Sequence, residues 1–309
     1  MRVATFNLQN MRLRQREGRS VLDGAADHDF DGWSQSIRDD LADRQLTAKV
    51  IATANAEVVA LQEVFDTETL DFFHDHFLLQ AGLDPYPYRI CLPGNDGRGL
   101  NVASMSKRKP VRAKSHAQLT GADFNLTELP ANLRNQRLFR RDCLQLDFVS
   151  FTLFICHFKA PYPDTDRAYV IREAEARAVR QIIETRFSRP ENERWMIMGD
   201  FNEPALVDQT VPSALKSLTQ GFSIDLLDRL PRGKDWTFEV PDTHVHSRPD
   251  RIFLSPELAK EYPDVVPTIL RTGMTRYLSE PIANSSLGPP NNQSHASDHA
   301  LVYADFPGL

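Results

Sequence analysis

The 309-residue chain carries only three cysteines, Cys91, Cys143 and Cys156. Three thiols cannot close a complete disulfide framework, which excludes the small disulfide-stapled classes. Cys143 and Cys156 stand in apolar runs, where a small buried thiol is the ordinary role. Long hydrophobic runs are missing too, and none approaches the roughly twenty residues that a membrane-spanning helix requires. Positive charge is in short supply: 36 Lys and Arg stand against 42 Asp and Glu, a formal net charge of −6. Bulk attraction to a nucleic-acid backbone is therefore excluded as the main source of affinity. A phosphate-bearing substrate would have to be held by a local site or a bound metal. The opening Met1-Arg2-Val3-Ala4-Thr5-Phe6-Asn7 has the pattern of a strand, not of a charged-then-apolar leader, so a cytoplasmic protein is expected.

What is present is globular in kind. A hydrophobic share of 41% and a charged share of 25% exclude a disordered or fibrous chain. There is no fixed-period repeat and no composition break, so residues 1–309 are expected to form a single domain, as a monomer. Short apolar runs alternate with helical stretches, the mark of an α/β protein. Strands are expected at 2–6, 58–61, 88–91, 101–105, 143–148, 152–157, 195–198, 251–254 and 301–306. The short link Val149-Ser150-Phe151 reads as a hairpin, which implies mixed rather than all-parallel sheets. Helices are expected at 33–55 and 167–187. The second sets Ile171, Ala174, Ala178, Val179, Ile182 and Ile183 against a polar face of Arg172, Glu173, Glu175, Arg177, Arg180 and Glu184, with Asp164 or Thr165 as its cap. The stretches 9–31 and 272–297 lack periodicity and read as long surface loops.

Metal-assisted phosphoester hydrolysis needs hard oxygen ligands, an activator for the attacking water and a stabiliser for the leaving oxygen. Such groups are best held at strand ends. Asn7 closes the first strand, Glu63 follows the second in Val58-Val59-Ala60-Leu61-Gln62-Glu63, and His157 ends another. Met198-Gly199-Asp200-Phe201-Asn202-Glu203-Pro204 runs a strand into a glycine turn that presents Asp200 and Asn202 two residues apart. Pro249-Asp250-Arg251-Ile252 starts a strand with a carboxylate, and Ser297-Asp298-His299 precedes the last strand. Each has an ordinary structural explanation when taken alone. Asn7 is a common turn residue, Glu63 a solvent-exposed carboxylate, His157 a satisfied core histidine and Asp250 a cap or ion-pair partner.

The order of these pieces across the whole chain is more specific than any one of them. A strand-end Asn, Gln-Glu, a strand-end His, Gly-Asp-Phe-Asn, Asp-Arg-Ile and Ser-Asp-His, spread over residues 3–306, together resemble the endonuclease/exonuclease/phosphatase superfamily. That group includes pancreatic-type deoxyribonuclease, exonuclease III-like abasic-site endonucleases, neutral sphingomyelinases and inositol polyphosphate 5-phosphatases. The resemblance implies a four-layer α/β/β/α sandwich of two packed mixed sheets. It implies that Asn7, Glu63 and Asp298 hold a divalent cation, magnesium in most relatives and replaceable by manganese. Asp200 and Asn202 match the pair that aligns or activates the attacking water, with either Asp200 or a histidine as its proton acceptor. His299 with its partner Asp250, and His157, match the phosphate-contacting histidines, and Arg141 matches an arginine aimed at a substrate phosphate.

One position departs from the pattern. Where many relatives carry an acid that orients the equivalent of His157, this chain has Asn101, whose amide cannot stabilise an imidazolium but can contact a phosphate. The substrate implied is a phosphodiester, with nucleic acid in first place. Local basic density at Lys107-Arg108-Lys109-Pro110-Val111-Arg112-Ala113-Lys114 and at Arg134, Arg137, Arg140 and Arg141 offers a rim for a backbone. Gly94-Asn95-Asp96-Gly97-Arg98-Gly99 hints at an anion-binding turn, and Phe158, Tyr162, Phe201 and Trp236 are candidate stacking groups. A phosphatase or phosphodiesterase for a small molecule or lipid head group is the alternative. A non-catalytic binding module on this fold is the distant one, and it would be expected to have lost Glu63, Asp200, Asn202 or His299.

Overall fold

A computed structural model describes residues 1–16, 18–25, 36–204, 213–241, 243–274, 278 and 294–309. In chain order the first half reads β1 (Arg2–Met11), β2 (Leu13–Arg16), β3 (Arg19–Leu22), α1 (Ser36–Ala54), β4 (Val58–Val64), α2 (Thr67–Phe73), β5 (Tyr88–Cys91), β6 (Asn101–Ser106), β7 (Arg112–Ser115) and α3 (Ala131–Arg134). The second half reads β8 (Cys143–Asp147), β9 (Thr152–His157), α4 (Thr165–Arg186), β10 (Trp195–Asp200), α5 (Lys216–Thr219), β11 (Ile224–Asp225), β12 (Phe238–Val240), β13 (Val245–Ser247), β14 (Asp250–Leu254), α6 (Pro256–Glu261), β15 (Thr268–Leu270) and β16 (Leu301–Asp305). One six-stranded sheet has the order β15-β16-β1-β4-β6-β5 and the other β11-β14-β10-β9-β8-β7. Each mixes parallel pairs (β1 with β4, β9 with β10) and antiparallel ones (β4 with β6, β8 with β9).

Side-chain alternation explains why these sheets stack. Val3, Val58, Ala60 and Val102 from the first sheet meet Leu144, Leu146, Leu153, Ile155, Met196, Met198, Ile252 and Leu254 from the second in one buried cluster. The outer face of the first sheet packs on α1 and α2 through Phe6, Leu61, Ile51 and Phe73. The outer face of the second packs on α4 through Phe154, Ile197, Val179 and Ile183. The result is the four-layer sandwich.

The same parity carries the inner rows one step further into polar residues. Val3 continues to Asn7, Leu153 and Ile155 to His157, Met196 and Met198 to Asp200, and Ile252 leads back to Asp250. Register completes the alignment: Asp200 lies directly beside His157 on one flank and Asp250 on the other. Gly199 permits the tight spacing, with φ at +144° and room for no side chain, since a Cβ there would stand 1.9 Å from the Cys156 carbonyl oxygen.

Several expectations change. Residues 9–31 do not begin as a loop. β1 runs on to Met11, and β2 and β3 form an antiparallel ribbon in which Gln15 donates to Ser20 at 2.7 Å. A ribbon whose apolar contacts with the core, among the described residues, run through Leu13 and Leu22 needs little apolar alternation, so composition hides it. Residues 26–31, residues 33–35 of the first expected helix and most of 272–297 lie outside the described residues. In α4 the Asp164 cap is present, accepting from the Arg167 N–H at 3.0 Å. Arg172 and Glu175, however, leave the polar face and are buried.

Candidate active site

The end of β1 is bent. Gln9 and Asn10 both adopt left-handed backbone conformations, and the pairing with β4 shifts between Asn7 and Met11. Arg44 of α1 holds the bend with hydrogen bonds to the carbonyls of Leu8 (2.6 Å), Gln9 (2.8 Å) and Asp23 (2.6 Å). The Asn7 amide then donates to Asp200 Oδ2 at 3.0 Å, while its oxygen accepts the Gln9 N–H at 3.0 Å. Glu63 lies inside β4 rather than after it. Its positive φ of 64° at a bulge turns its side chain out of the ladder, and its carboxylate accepts the Asn10 N–H at 2.9 Å. Gln9 reaches the last loop, where its amide oxygen accepts from His295 Nε2 and from the Asp298 N–H, both at 2.9 Å. Ser297 closes the same loop by donating to the Asn7 carbonyl at 2.7 Å and accepting the His299 N–H at 3.1 Å.

Asp200 is the hub, with about 1% of its surface exposed. It accepts from Asn7, accepts the Asn202 backbone N–H at 2.8 Å, and lies 3.4 Å from His157 Nε2 and 3.9 Å from His299 Nε2. Burial pushes its carboxyl up to about 6, reinforced by the charge of Asp250 and restrained by His299 and its hydrogen bonds. His299 is held from behind: Nδ1 lies 2.8 Å from Asp250 Oδ2, which also accepts from the Thr237 hydroxyl at 2.6 Å. Desolvation disfavours the imidazolium, but Asp250, Asp200 and Asp298 together outweigh it and hold the ring protonated well above the ordinary histidine range. His157 is the opposite case. Desolvation, with the charges of Arg141, His299 and Arg98, keeps it neutral. Its Nδ1 has no hydrogen-bond partner.

The acids on the first-sheet side fit a hard cation. Burial and the neighbouring Glu63 charge push the Asp298 carboxyl up to about 6, so two carboxylates repel where a divalent ion would relieve them. Asn7, the third expected ligand, also offers an oxygen, its amide Oδ1, which accepts the Gln9 N–H. Asp200, Asp250 and His299 also bring donor atoms within 4.8 Å of one another. Within that trio Asp250 is already engaged by the Thr237 hydroxyl and His299 Nδ1, while Asp200 stands 3.9 Å from His299 Nε2.

Other expected contributors move. The Asn101 amide is consumed, accepting the Gly94 N–H at 2.7 Å and donating to the carbonyls of Phe65 and Gly99, so it pins a loop and is not free to contact a phosphate. The Gly94–Gly99 turn uses its own N–H groups in the same way: Asn95 donates to Arg141, Arg98 and Gly99 to Asp96. Arg141 is buried and aligned by Asp96, 3.0 Å away, and by the Phe158 carbonyl. Phe158 and Phe201 are core residues, and Trp236 is stacked between His246 and Arg271. The run from Lys107 lies at the wrong end of β6. Asn101 begins that strand beside the site, and at about 3.4 Å per residue Lys107 is roughly 20 Å away. There Arg108 pairs with Glu57 and bonds the Leu309 carbonyl. Thr237 and Gln9 are the contributors that composition did not reveal; the only sequence signal for Gln9 is its place two residues after Asn7.

The hold of Asp250 on His299 is testable. In Asp250→Asn, the imidazole loses its nearest carboxylate, and its titration midpoint should fall by at least about one unit toward the ordinary value near 6.5. Ring-proton NMR over pH 5 to 10 measures this, and an unchanged midpoint would remove Asp250 as the cause.

Comparison with known proteins follows the same lines. The Endonuclease/Exonuclease/phosphatase family matches residues 4–299. The chain is similar to a solved D. rerio TDP2 complexed with single-strand DNA product (16% identity, TM-score 0.56, covering 98% of this chain and 97% of that one). It is similar also to an endonuclease/exonuclease/phosphatase family protein from Leptotrichia buccalis (14%, TM-score 0.58, 99% and 98%). A third likeness is to a mannosyl-6-phosphatase from Bacteroides thetaiotaomicron (16%, TM-score 0.55, 99% and 98%). At such identities the likeness is one of fold. No curated protein sequence matches the chain. The family match over nearly the whole length, on a sandwich of this topology, means that the chain belongs to the Endonuclease/Exonuclease/phosphatase family of metal-dependent phosphoester hydrolases.

Proposed function

We propose that this chain is a magnesium-dependent phosphodiesterase whose substrate is a nucleic acid strand. The observation that carries the hydrolytic part is the convergence of Asn7, His157, Asp200 and the Asp250–His299 pair on one buried edge between the sheets. Asn7, Glu63 and Asp298 would hold the cation, which supplies charge neutralisation for an anionic phosphoester. His299, protonated and braced by Asp250, donates from Nε2 to a phosphate oxygen. Because it already carries its proton, it does not serve as the base. Asp200 takes the proton of the attacking water, with Asn7 and Asn202 fixing its two oxygens and its raised affinity for protons suiting that task near neutral pH. Neutral His157 and the buried Arg141 contact the phosphate from the other side. Residues 1–309 act as a single domain, as a monomer.

Bis-p-nitrophenyl phosphate hydrolysis should require magnesium. Glu63→Gln should raise the magnesium concentration for half-maximal activity and lower activity about a hundredfold, because one of two formal charges at the cation site is lost. Wild-type magnesium dependence in the variant would show that Glu63 is not a ligand.

A second reading, a small phosphoester as substrate, is favoured by one observation: the densest basic run lies at the far end of β6 from the site. Salt separates the two. A polymer substrate should give a steep fall of kcat/KM with salt, and a small one a shallow fall. Neutralising Lys107, Arg108 and Lys109 together should leave the slope unchanged for either. A slope reduced by two or more would return that run to the substrate path.

A further inference from the structure

Arg172 and Glu175 sit one turn apart on α4 and are almost fully buried, with 1% and 0% exposed. Burying ionised side chains costs several kcal/mol each unless they are well partnered, so their partners identify their task. Those partners are backbone groups of the loops that carry the candidate site. Glu175 accepts the Arg140 N–H on one oxygen and the Lys159 N–H on the other, both at 2.8 Å. Arg172 donates to the Lys159 carbonyl at 3.2 Å and lies 3.6 Å from the Glu203 carboxylate, whose other oxygen accepts the Ala214 N–H at 2.9 Å.

Each anchored residue is one or two steps from a proposed active group. Arg140 precedes Arg141, Lys159 follows His157 by two, and Glu203 follows Asn202. Between them Phe158 ties the three loops together. Its carbonyl accepts from both Arg141 and Asn202 at 3.1 Å, and its N–H donates to the Asp200 carbonyl at 2.9 Å. Placing the acceptor there has a cost. Burial pushes the Glu175 carboxyl up to about 7, against the pull of the Arg140 and Lys159 N–H groups and the positive charges of Arg141 and Arg140.

We propose that Glu175 and Arg172 are positioning residues: a two-residue clamp on α4 that sets Arg141, His157 and Asn202 on the second-sheet side of the site. This rests on reading that site as a phosphoester hydrolase. The cation donors Asn7, Glu63 and Asp298 lie on the first sheet and the loop before β16, outside the clamp. Its loss should therefore lower turnover without loosening the metal.

The test compares wild type with Glu175→Gln, Glu175→Asp and Arg172→Lys. It measures kcat and KM on bis-p-nitrophenyl phosphate, the magnesium concentration for half-maximal activity and the unfolding midpoint. Glutamine replaces one acceptor with a donor facing a backbone N–H. In the folded Glu175→Gln variant kcat should fall about tenfold or more while the magnesium requirement stays within about twofold. Glu175→Asp keeps a carboxylate and should recover part of that loss. A lysine lacks the planar fork that reaches the Lys159 carbonyl and Glu203 from two separate nitrogens, so Arg172→Lys should show the same split. A folded Glu175→Gln with kcat within twofold of wild type overturns the proposal, as does a matching loss of magnesium affinity. So does a failure of both Glu175→Gln and Arg172→Lys to fold, which would make the pair purely structural. A wild-type protein without magnesium-stimulated hydrolysis sinks the phosphoesterase reading itself, whereas an active wild type with a silent Glu175→Gln sinks only the clamp.

Discussion

A carboxylate buried between two sheets must be compensated on every side, and Asp200 is that carboxylate. Desolvation raises its affinity for protons. Asn7 from the opposite sheet, the Asn202 N–H from its own turn and His299 from the last loop each return part of that cost. None of these partners comes from a neighbouring residue of the same strand. The buried charge on Asp200 is therefore compensated only when both sheets are docked, and the docked sheets gain a polar join at their edge. Stability and chemistry are coupled through one group.

From that group the two halves of the site divide the work. The second sheet supplies His157, Asp200 and Asp250 in adjacent register positions, so strand pairing sets their spacing along the sheet, while the loop backbone leading away from them is what Glu175 anchors. The first sheet and the final loop supply Asn7, Glu63 and Asp298, and there the geometry depends on backbone bends: positive φ at Gln9, Asn10 and Glu63, held by Arg44 and by the Gln9 amide. Rigid register suits groups that must meet reacting atoms at fixed distances. On the proposed reading, bent backbone suits donors that would converge on an ion.

Much of this was legible in the sequence for a physical reason. The inner-face rows alternate so cleanly that Asn7, His157, Asp200 and Asp250 fall on the same parity as the apolar residues beside them, and the strands at 88–91 and 152–157 end where expected. Bends are less legible. Nothing in Gln62-Glu63-Val64 announces a positive φ, and a Gln two residues past Asn7 carries no signal that it reaches Asp298. Helical periodicity misplaced Arg172 and Glu175 because charge normally marks the solvent face, while here the charges are satisfied by loop backbone. The basic run at Lys107 misled for a simpler reason: composition records density and not which end of a strand it occupies.

If Asp200 is the hub, removing its charge while keeping its shape should abolish chemistry and spare the fold. Asp200→Asn should lower kcat/KM for bis-p-nitrophenyl phosphate by about 3–5 kcal/mol in barrier, two to four orders of magnitude, with an unfolding midpoint at or above wild type because the desolvation cost disappears. A folded Asp200→Asn protein that turns over within tenfold of wild type would contradict the account at its centre.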